Sequence, residues 1–288
     1  MLLASSLIAL ALQVGPNPVV IPPTDGHEEL RDRTQRPEDQ SEALDPATIW
    51  LSDCLDLLAE DASRAHTMAQ IQRNATSGTP RVLANHCLGL AASELGLWED
   101  AITALEAARD ETPTEDLRLR SRYGTMAGNA ALASGSATRA EPILRRAKLD
   151  AQVAASAPLQ AIAATDLARV LVAMDQAENA LSELELATQL QPDNAESWLL
   201  KATLLRRLER LDEAQMAIER AGELAPLDPM VGLEAGIIAL FSGREETART
   251  SWQSVIDLQP GSPFAQTAQN YLSQITPAPA DNAAQETP

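Results

Sequence analysis

The sequence is poor in aromatic residues and in lysine. Aromatic residues make up 3% of the 288 residues, and the 22 basic residues include only two lysines, Lys148 and Lys201. A β-sandwich or β-barrel needs aromatic and β-branched side chains to fill its sheets, so this composition argues against an all-β fold. The chain is instead rich in Ala, Leu, Glu and Arg, which are strong helix formers, and it contains 51 alanines.

Positive charge is scarce as well. The 22 basic residues are opposed by 41 acidic ones, which gives a formal net charge of −19. Recognition of nucleic acid begins with clustered cations, and anionic membranes also attract cations, so neither partner is expected. The sequence has no glycine-rich phosphate loop, Gly-x-Ser-x-Gly motif or His-Glu-x-x-His motif. It therefore predicts no enzyme activity, cofactor, metal site or small-molecule substrate.

The two ends of the chain differ from its interior. Residues 2–14 form an apolar run that is shorter than the roughly 20 residues of a membrane-spanning helix, and its length is typical of the apolar part of a secretory signal peptide. We therefore expect a signal peptide at 1–14; the other interpretation is an apolar terminus that packs on the fold. The stretch 15–45 is rich in proline and charge, and 276–288 lacks large apolar residues. These predict a flexible leader and a disordered tail.

The interior of the chain repeats regularly. Pro192, Pro226 and Pro260 are evenly spaced, at the period of about 34 residues that is typical of one class of helix-turn-helix repeat. A large apolar residue and two small residues stand at fixed distances before each proline. The large residues are Leu184, Ile218 and Trp252, and the small ones are Ala168, Ala202, Gly236, Ala180, Ala214 and Ala248. Because these positions match in three consecutive copies, the pattern indicates a structural repeat.

This pattern resembles the tetratricopeptide repeat (TPR) family, and the best copy carries Trp198, Ala202, Leu205, Ala214, Ile218, Ala221 and Pro226. Each copy reads as two amphipathic helices, with small residues where the helices cross and a proline that ends the second helix. The resemblance implies an all-α fold, a right-handed α-solenoid of about six helix-turn-helix repeats over residues 46–275. The expected repeats are 46–81, 82–115, 121–154, 161–194, 195–228 and 229–262, followed by a capping helix at 263–275.

The two cysteines occupy corresponding places in the first two repeats. Cys54 and Cys87 each precede a leucine at the same point of their repeat. Both are expected on the first helices of adjacent repeats, which pack roughly 8–10 Å apart, so their Cα atoms can come within disulfide range. Two buried free thiols, or a zinc site with His66 and His86, are the other interpretations.

TPR arrays generally bind peptides or protein segments on the concave face lined by their first helices, and the resemblance implies the same here. The candidate binding residues on that face are Arg122, Asn129, Arg169, Leu199, Arg206, Arg207, Leu233 and Ile237. Arginines are unexpected in so acidic a chain. They either hold the carboxylates of an acidic segment or pair with neighbouring glutamates. The apolar group from Met230 to Phe241 either forms a pocket or is covered by the capping helix.

These observations predict a non-enzymatic adaptor for a protein or peptide partner, exported to the periplasm or cell envelope of a bacterium. Two alternatives stay open at this point. One is an accessory or regulatory subunit of an enzyme complex. The other, if the N-terminal run is not a signal peptide, is a cytoplasmic TPR scaffold.

Overall fold

The computed structural model describes residues 45–275, and this part of the chain is built from thirteen α-helices without a β-strand. The helices are α1 Pro46–Glu60, α2 Ala62–Ala75, α3 Thr79–Glu94, α4 Trp98–Glu111, α5 Leu117–Ala133, α6 Ala137–Val153, α7 Ala157–Ala173, α8 Ala177–Leu190, α9 Ala195–Arg207, α10 Leu211–Leu224, α11 Pro229–Phe241, α12 Glu245–Leu258 and α13 Pro263–Gln274. None of these helices is long and apolar enough to cross a membrane. The expected signal peptide at 1–14, the leader up to residue 44 and the tail at 276–288 lie outside the described residues.

The all-α fold predicted from the sequence is confirmed. In chain order the helices alternate between first and second helices of a repeat, and α13 occupies the place of the capping helix. Three first helices, α3, α5 and α7, begin before the positions 82, 121 and 161 that the repeat pattern indicates. Pro80 and Pro158 stand in the first turns of α3 and α7, where proline favours the start of a helix. The carboxylate of Asp116 caps α5.

The described residues fall into two compact units, 45–140 and 141–275. In the first unit α1 packs against α2 and α3, α3 lies between α2 and α4, and α4 packs against α5. In the second unit α7 pairs with α8, α9 with α10 and α11 with α12. Each of these second helices also packs against the next first helix, so that α12 lies against the terminal helix α13. This stacking buries apolar faces that no single hairpin could bury alone.

Glycines allow close helix crossings inside two of the hairpins. A Cβ atom added to Gly89 would lie 2.4 Å from Cγ of Leu105, and one added to Gly236 would lie 2.1 Å from Nε1 of Trp252. Both distances are far below van der Waals contact, so a larger residue at either position would force the neighbouring side chain to shift. The glycines belong to first helices and their partners to second helices of the same repeat. The small-and-large pairing seen in the sequence therefore marks the contact between the two helices of a pair.

The turn after each first helix from α3 to α11 contains a residue in the left-handed region. These residues are Gly96, Gly135, Asp175, Glu209 and Gly243, with φ between 59° and 82°. In each turn the next backbone N–H donates to a carbonyl near the end of the helix, as Arg210 does to Leu205 at 2.9 Å and Arg244 to Ala239 at 2.8 Å. This is the Schellman arrangement that ends a helix. It directs the chain into the second helix of the pair.

Candidate protein-binding face

The first helices of the second unit are joined in a row by their side chains. The hydroxyl groups of Thr165 on α7 and Ser197 on α9 lie 2.9 Å apart. Farther along, Arg206 on α9 contacts Glu234 on α11. We call the side of α7, α9 and α11 that carries the expected binding residues the first-helix face. It carries Arg169 with Glu196, Arg206 with Phe241, and Arg207, which ends α9 as Phe241 ends α11.

Two arginines of the first-helix face already have carboxylate partners. Arg169 donates to Asp166 on its own helix and to Glu196 on α9. Arg206 donates from Nε to Oε1 of Glu234 at 2.6 Å and from Nη2 to Oε2 at 3.3 Å. The two inter-helix pairs are separated by 27 and 28 residues, so each joins a first helix to the next one along. Pairing with neighbouring glutamates was one of the two sequence-based interpretations of the arginines, but the sequence analysis did not identify the partners; the recurring spacing is a signal that could have indicated them.

The Arg206–Glu234 pair is largely removed from solvent. Only 12% of the Arg206 side chain and 10% of the Glu234 side chain are exposed. Burial raises the pKa of the Tyr271 phenol on α13, the negative charge of Glu234 raises it further, and the positive charge of Arg206 lowers it. The Cζ atom of Arg206 lies 5.9 Å from the centroid of the Phe241 ring, within the range of a cation–π contact.

The other expected residues of the second unit divide between surface and core. Arg207 is exposed and makes no hydrogen bond or ion pair with any residue among 45–275. Leu199 is only 7% exposed. Because α9 packs against α8, α10 and α11, little of the Leu199 side chain is left for the ligand contact expected from the sequence.

Leu233 and Ile237 lie under the terminal helix. Both are half-buried and pack on the core cluster around Trp252, which also includes Phe264 and Tyr271 of α13. Of the two interpretations of this apolar group, the covered one describes these two residues. Phe241, at the end of the same helix, stays 62% exposed.

In the first unit, Arg122 is exposed and Asn129 is half-buried, both on α5. The ring of Tyr123 meets that of His86 on α3 edge-on, with 5.2 Å between centroids. Burial lowers the pKa of His86 to about 4, and the positive charge of Arg122 contributes to this shift. Burial also raises the pKa of Tyr123 to about 12. The half-buried His86 is therefore neutral at pH 7 and suited to packing rather than to acid–base chemistry.

The two cysteines lie together in the core of the first unit. Cys54 on α1 and Cys87 on α3 are fully buried, are joined as a disulfide and have Cα atoms 6.4 Å apart. Leu88, Ala69 and Ala104 complete the buried cluster around them. Within residues 45–275 no group of three or more histidine, cysteine or acidic side chains could hold a metal ion.

Sequence comparison agrees with this architecture. A family model of the tetratricopeptide repeat matches residues 165–229, which include the second half of α7 and all of α8, α9 and α10. The chain therefore contains tetratricopeptide repeats in this region. The TPR fold indicates a role in protein–protein interaction.

Solved structures share the fold at low sequence identity. PilW, a widely conserved type IV pilus biogenesis factor, is 15% identical with a TM-score of 0.63 over 77% of this chain and 98% of that chain. PilF of Pseudomonas aeruginosa is 16% identical, with a TM-score of 0.59 over 78% and 97%. MamA from Desulfovibrio magneticus RS-1 is 18% identical, with a TM-score of 0.52 over 63% and 97%. At these identities the likeness shows the fold alone.

One curated relative is similar over a shorter region. The BBSome complex member BBS4 homolog of Drosophila melanogaster is 31% identical over 93 residues, which are 30% of this chain and 19% of that protein. The chain therefore matches about a fifth of the length of this relative.

Proposed function

We propose that this protein is a non-enzymatic adaptor that binds a segment of another protein on the first-helix face of its second unit. The exposure of Phe241 carries the proposal. The chain has only two phenylalanines, and this one is 62% exposed at the end of a first helix, beside the half-buried Leu240 and one residue before the turn. Aromatic residues and arginine are enriched in the cores of protein–protein interfaces, and here an exposed aromatic ring lies beside Arg206.

Affinity capture from native cells tests the binding surface. The bait is the full chain, compared with the double variant Arg207→Ala and Phe241→Ala. The matched control is Met216→Ala, which removes a 65% exposed apolar side chain from the second helix α10. We expect the double variant to lose partners that both the original chain and the control retain. Equal recovery by all three baits would contradict binding on the first-helix face.

We further propose that the protein is exported to the periplasm or cell envelope. The apolar run at residues 2–14 and the pairing of Cys54 with Cys87 support this, because disulfides persist in oxidising compartments. Mass spectrometry of the N-terminus in fractionated cells gives the test. Export predicts a shortened chain in the envelope fraction, whereas an intact N-terminus in the cytoplasmic fraction would contradict it.

A further inference from the structure

We propose that the first-helix face selects a segment with one large apolar side chain and one carboxylate about three residues away from it. The apolar side chain packs on Phe241, and the carboxylate pairs with Arg207. This inference rests on the proposed function, since it uses the same face, and it names the chemistry of the bound segment.

The surface at Phe241 is suited to an apolar group. The ring lies over the guanidinium of Arg206, whose charge is balanced by both carboxylate oxygens of Glu234. The ring therefore contacts an ion pair that has no net charge, while 62% of the residue stays exposed. An aromatic or branched aliphatic side chain that covers the ring buries apolar area without displacing a charge.

The arginines of the face are not equivalent toward a ligand carboxylate. Arg169 is engaged by Asp166 and Glu196, and Arg206 is engaged by Glu234 in a pair with little solvent access. A ligand carboxylate at either arginine would have to replace an existing partner. Arg207 is exposed and has no ion pair within residues 45–275, so it can accept a carboxylate in the two-bond geometry of its guanidinium.

The spacing follows from the repeat. Arg207 and Phe241 occupy the same position in successive repeats and are the last residues of α9 and α11, which are neighbouring first helices. Packed helix axes lie about 8–10 Å apart, and a segment in the polyproline II conformation advances about 3.1 Å per residue with three residues per turn. A segment that crosses both helix ends in this conformation therefore presents an apolar and an acidic side chain to the same surface when they are about three residues apart.

The surrounding charge limits how acidic the segment can be. The chain carries a formal net charge of −19, and Glu196 on the same face has a 62% exposed side chain. A second or third carboxylate would meet these acidic groups, since Arg169 and Arg206 on the same face are already paired. The structure therefore favours a singly acidic segment over the acid-rich one expected from the arginine count.

Selection of displayed random peptides on the immobilised full chain tests this chemistry. We expect enriched sequences to pair an aromatic or branched aliphatic residue with a single Asp or Glu about three residues away. For a selected peptide, we expect Phe241→Ala and Arg207→Gln each to weaken binding about tenfold. Met216→Ala and Arg118→Gln, which alter comparably exposed residues elsewhere, are the matched controls and should leave binding unchanged.

A double-mutant cycle identifies the ion pair. Replacing the peptide carboxylate by its amide should weaken binding to the original chain but not to Arg207→Gln, since the pair is already absent there. Additive losses, no enrichment, or enriched peptides without the apolar–acidic pair would overturn the inference. If such other peptides still depend on Phe241 or on Arg169, the proposed binding face stands and only its chemistry is wrong. If no selected peptide depends on the first-helix face, both proposals fail.

Discussion

Gly236 lies directly against the indole ring of Trp252. A Cβ atom on Gly236 would stand 2.1 Å from Nε1 and 2.5 Å from Cδ1 of the ring. The ring cannot retreat easily, because Trp252 is 1% exposed and its Nε1 donates to the carbonyl of Leu233 at 3.1 Å. The largest side chain at this kind of crossing thus requires the smallest residue opposite it.

We expect Gly236→Ala to destabilise the fold by about 1–3 kcal/mol through overpacking. Gly222→Ala on α10 is the matched control, because its Cβ would meet only Val231 at 3.8 Å. Alanine is the better helix former, so the control should be neutral or more stable by up to about 1 kcal/mol. Chemical unfolding followed by circular dichroism measures both variants. Equal effects of the two changes would show that the crossing is not tight.

The disulfide between Cys54 and Cys87 should stabilise the first unit. It joins residues with a sequence separation of 33 and links α1 to α3. Replacing both cysteines by alanine is expected to cost about 2–4 kcal/mol, and reductant should lower the stability of the original chain but not of the variant. Thiol labelling of unreduced, denatured protein checks the bond itself. Two reactive thiols per chain would contradict it.

His86 should make the first unit sensitive to acid. Its folded pKa of about 4 lies below the ordinary value of 6.5, so the unfolded chain binds more protons between these pH values. Stability contributed by the neutral imidazole is present above pH 6.5 and is lost as the pH falls toward 4. Between pH 7 and pH 4 the free energy of unfolding should fall by up to about 3 kcal/mol less in His86→Gln than in the original chain. An equal fall in the free energy of unfolding in both proteins between these pH values would contradict this assignment.

Breaking the Arg206–Glu234 pair on one side should be more damaging than removing both charges. Glu234→Ala leaves the guanidinium of Arg206 with little solvent access, and loss of one partner of a buried pair typically costs about 3–5 kcal/mol. The double change Arg206→Met and Glu234→Leu should recover much of this stability. The exposed pair Arg210–Glu213 serves as the control, and Glu213→Ala should change little. Equal losses from Glu234→Ala and Glu213→Ala would indicate that the first pair is hydrated.

The repeat period predicted the helix pairs because it reflects contacts within a pair, such as Gly236 with Trp252. Helix starts depend instead on local groups outside the period. Because of Asp116 and Pro158, α5 and α7 begin closer to the N-terminus than the period indicates. The ligand face was harder to predict because its properties depend on partners one repeat away. Leu199 has the apolar character of a ligand contact, but the packing of the adjacent helices buries it.

The charges of the face show the same limit. Arg169, Arg206 and Arg207 look alike in the sequence, yet two of them are paired with acidic residues on the next first helix. A pairing of this kind depends on the offset between neighbouring helices, which the period alone does not reveal. The spacing of 27 and 28 residues between partners becomes meaningful once that offset is known.

Site-specific photo-crosslinking in native cells tests the central claim most directly. A photoreactive amino acid is placed at position 241 on the first-helix face in one variant and at position 216 on α10 in another, both highly exposed sites. We predict a discrete crosslinked partner from position 241 and none from position 216. Crosslinks to a partner from position 216, with none from position 241, would contradict the assignment of the first-helix face as the binding surface.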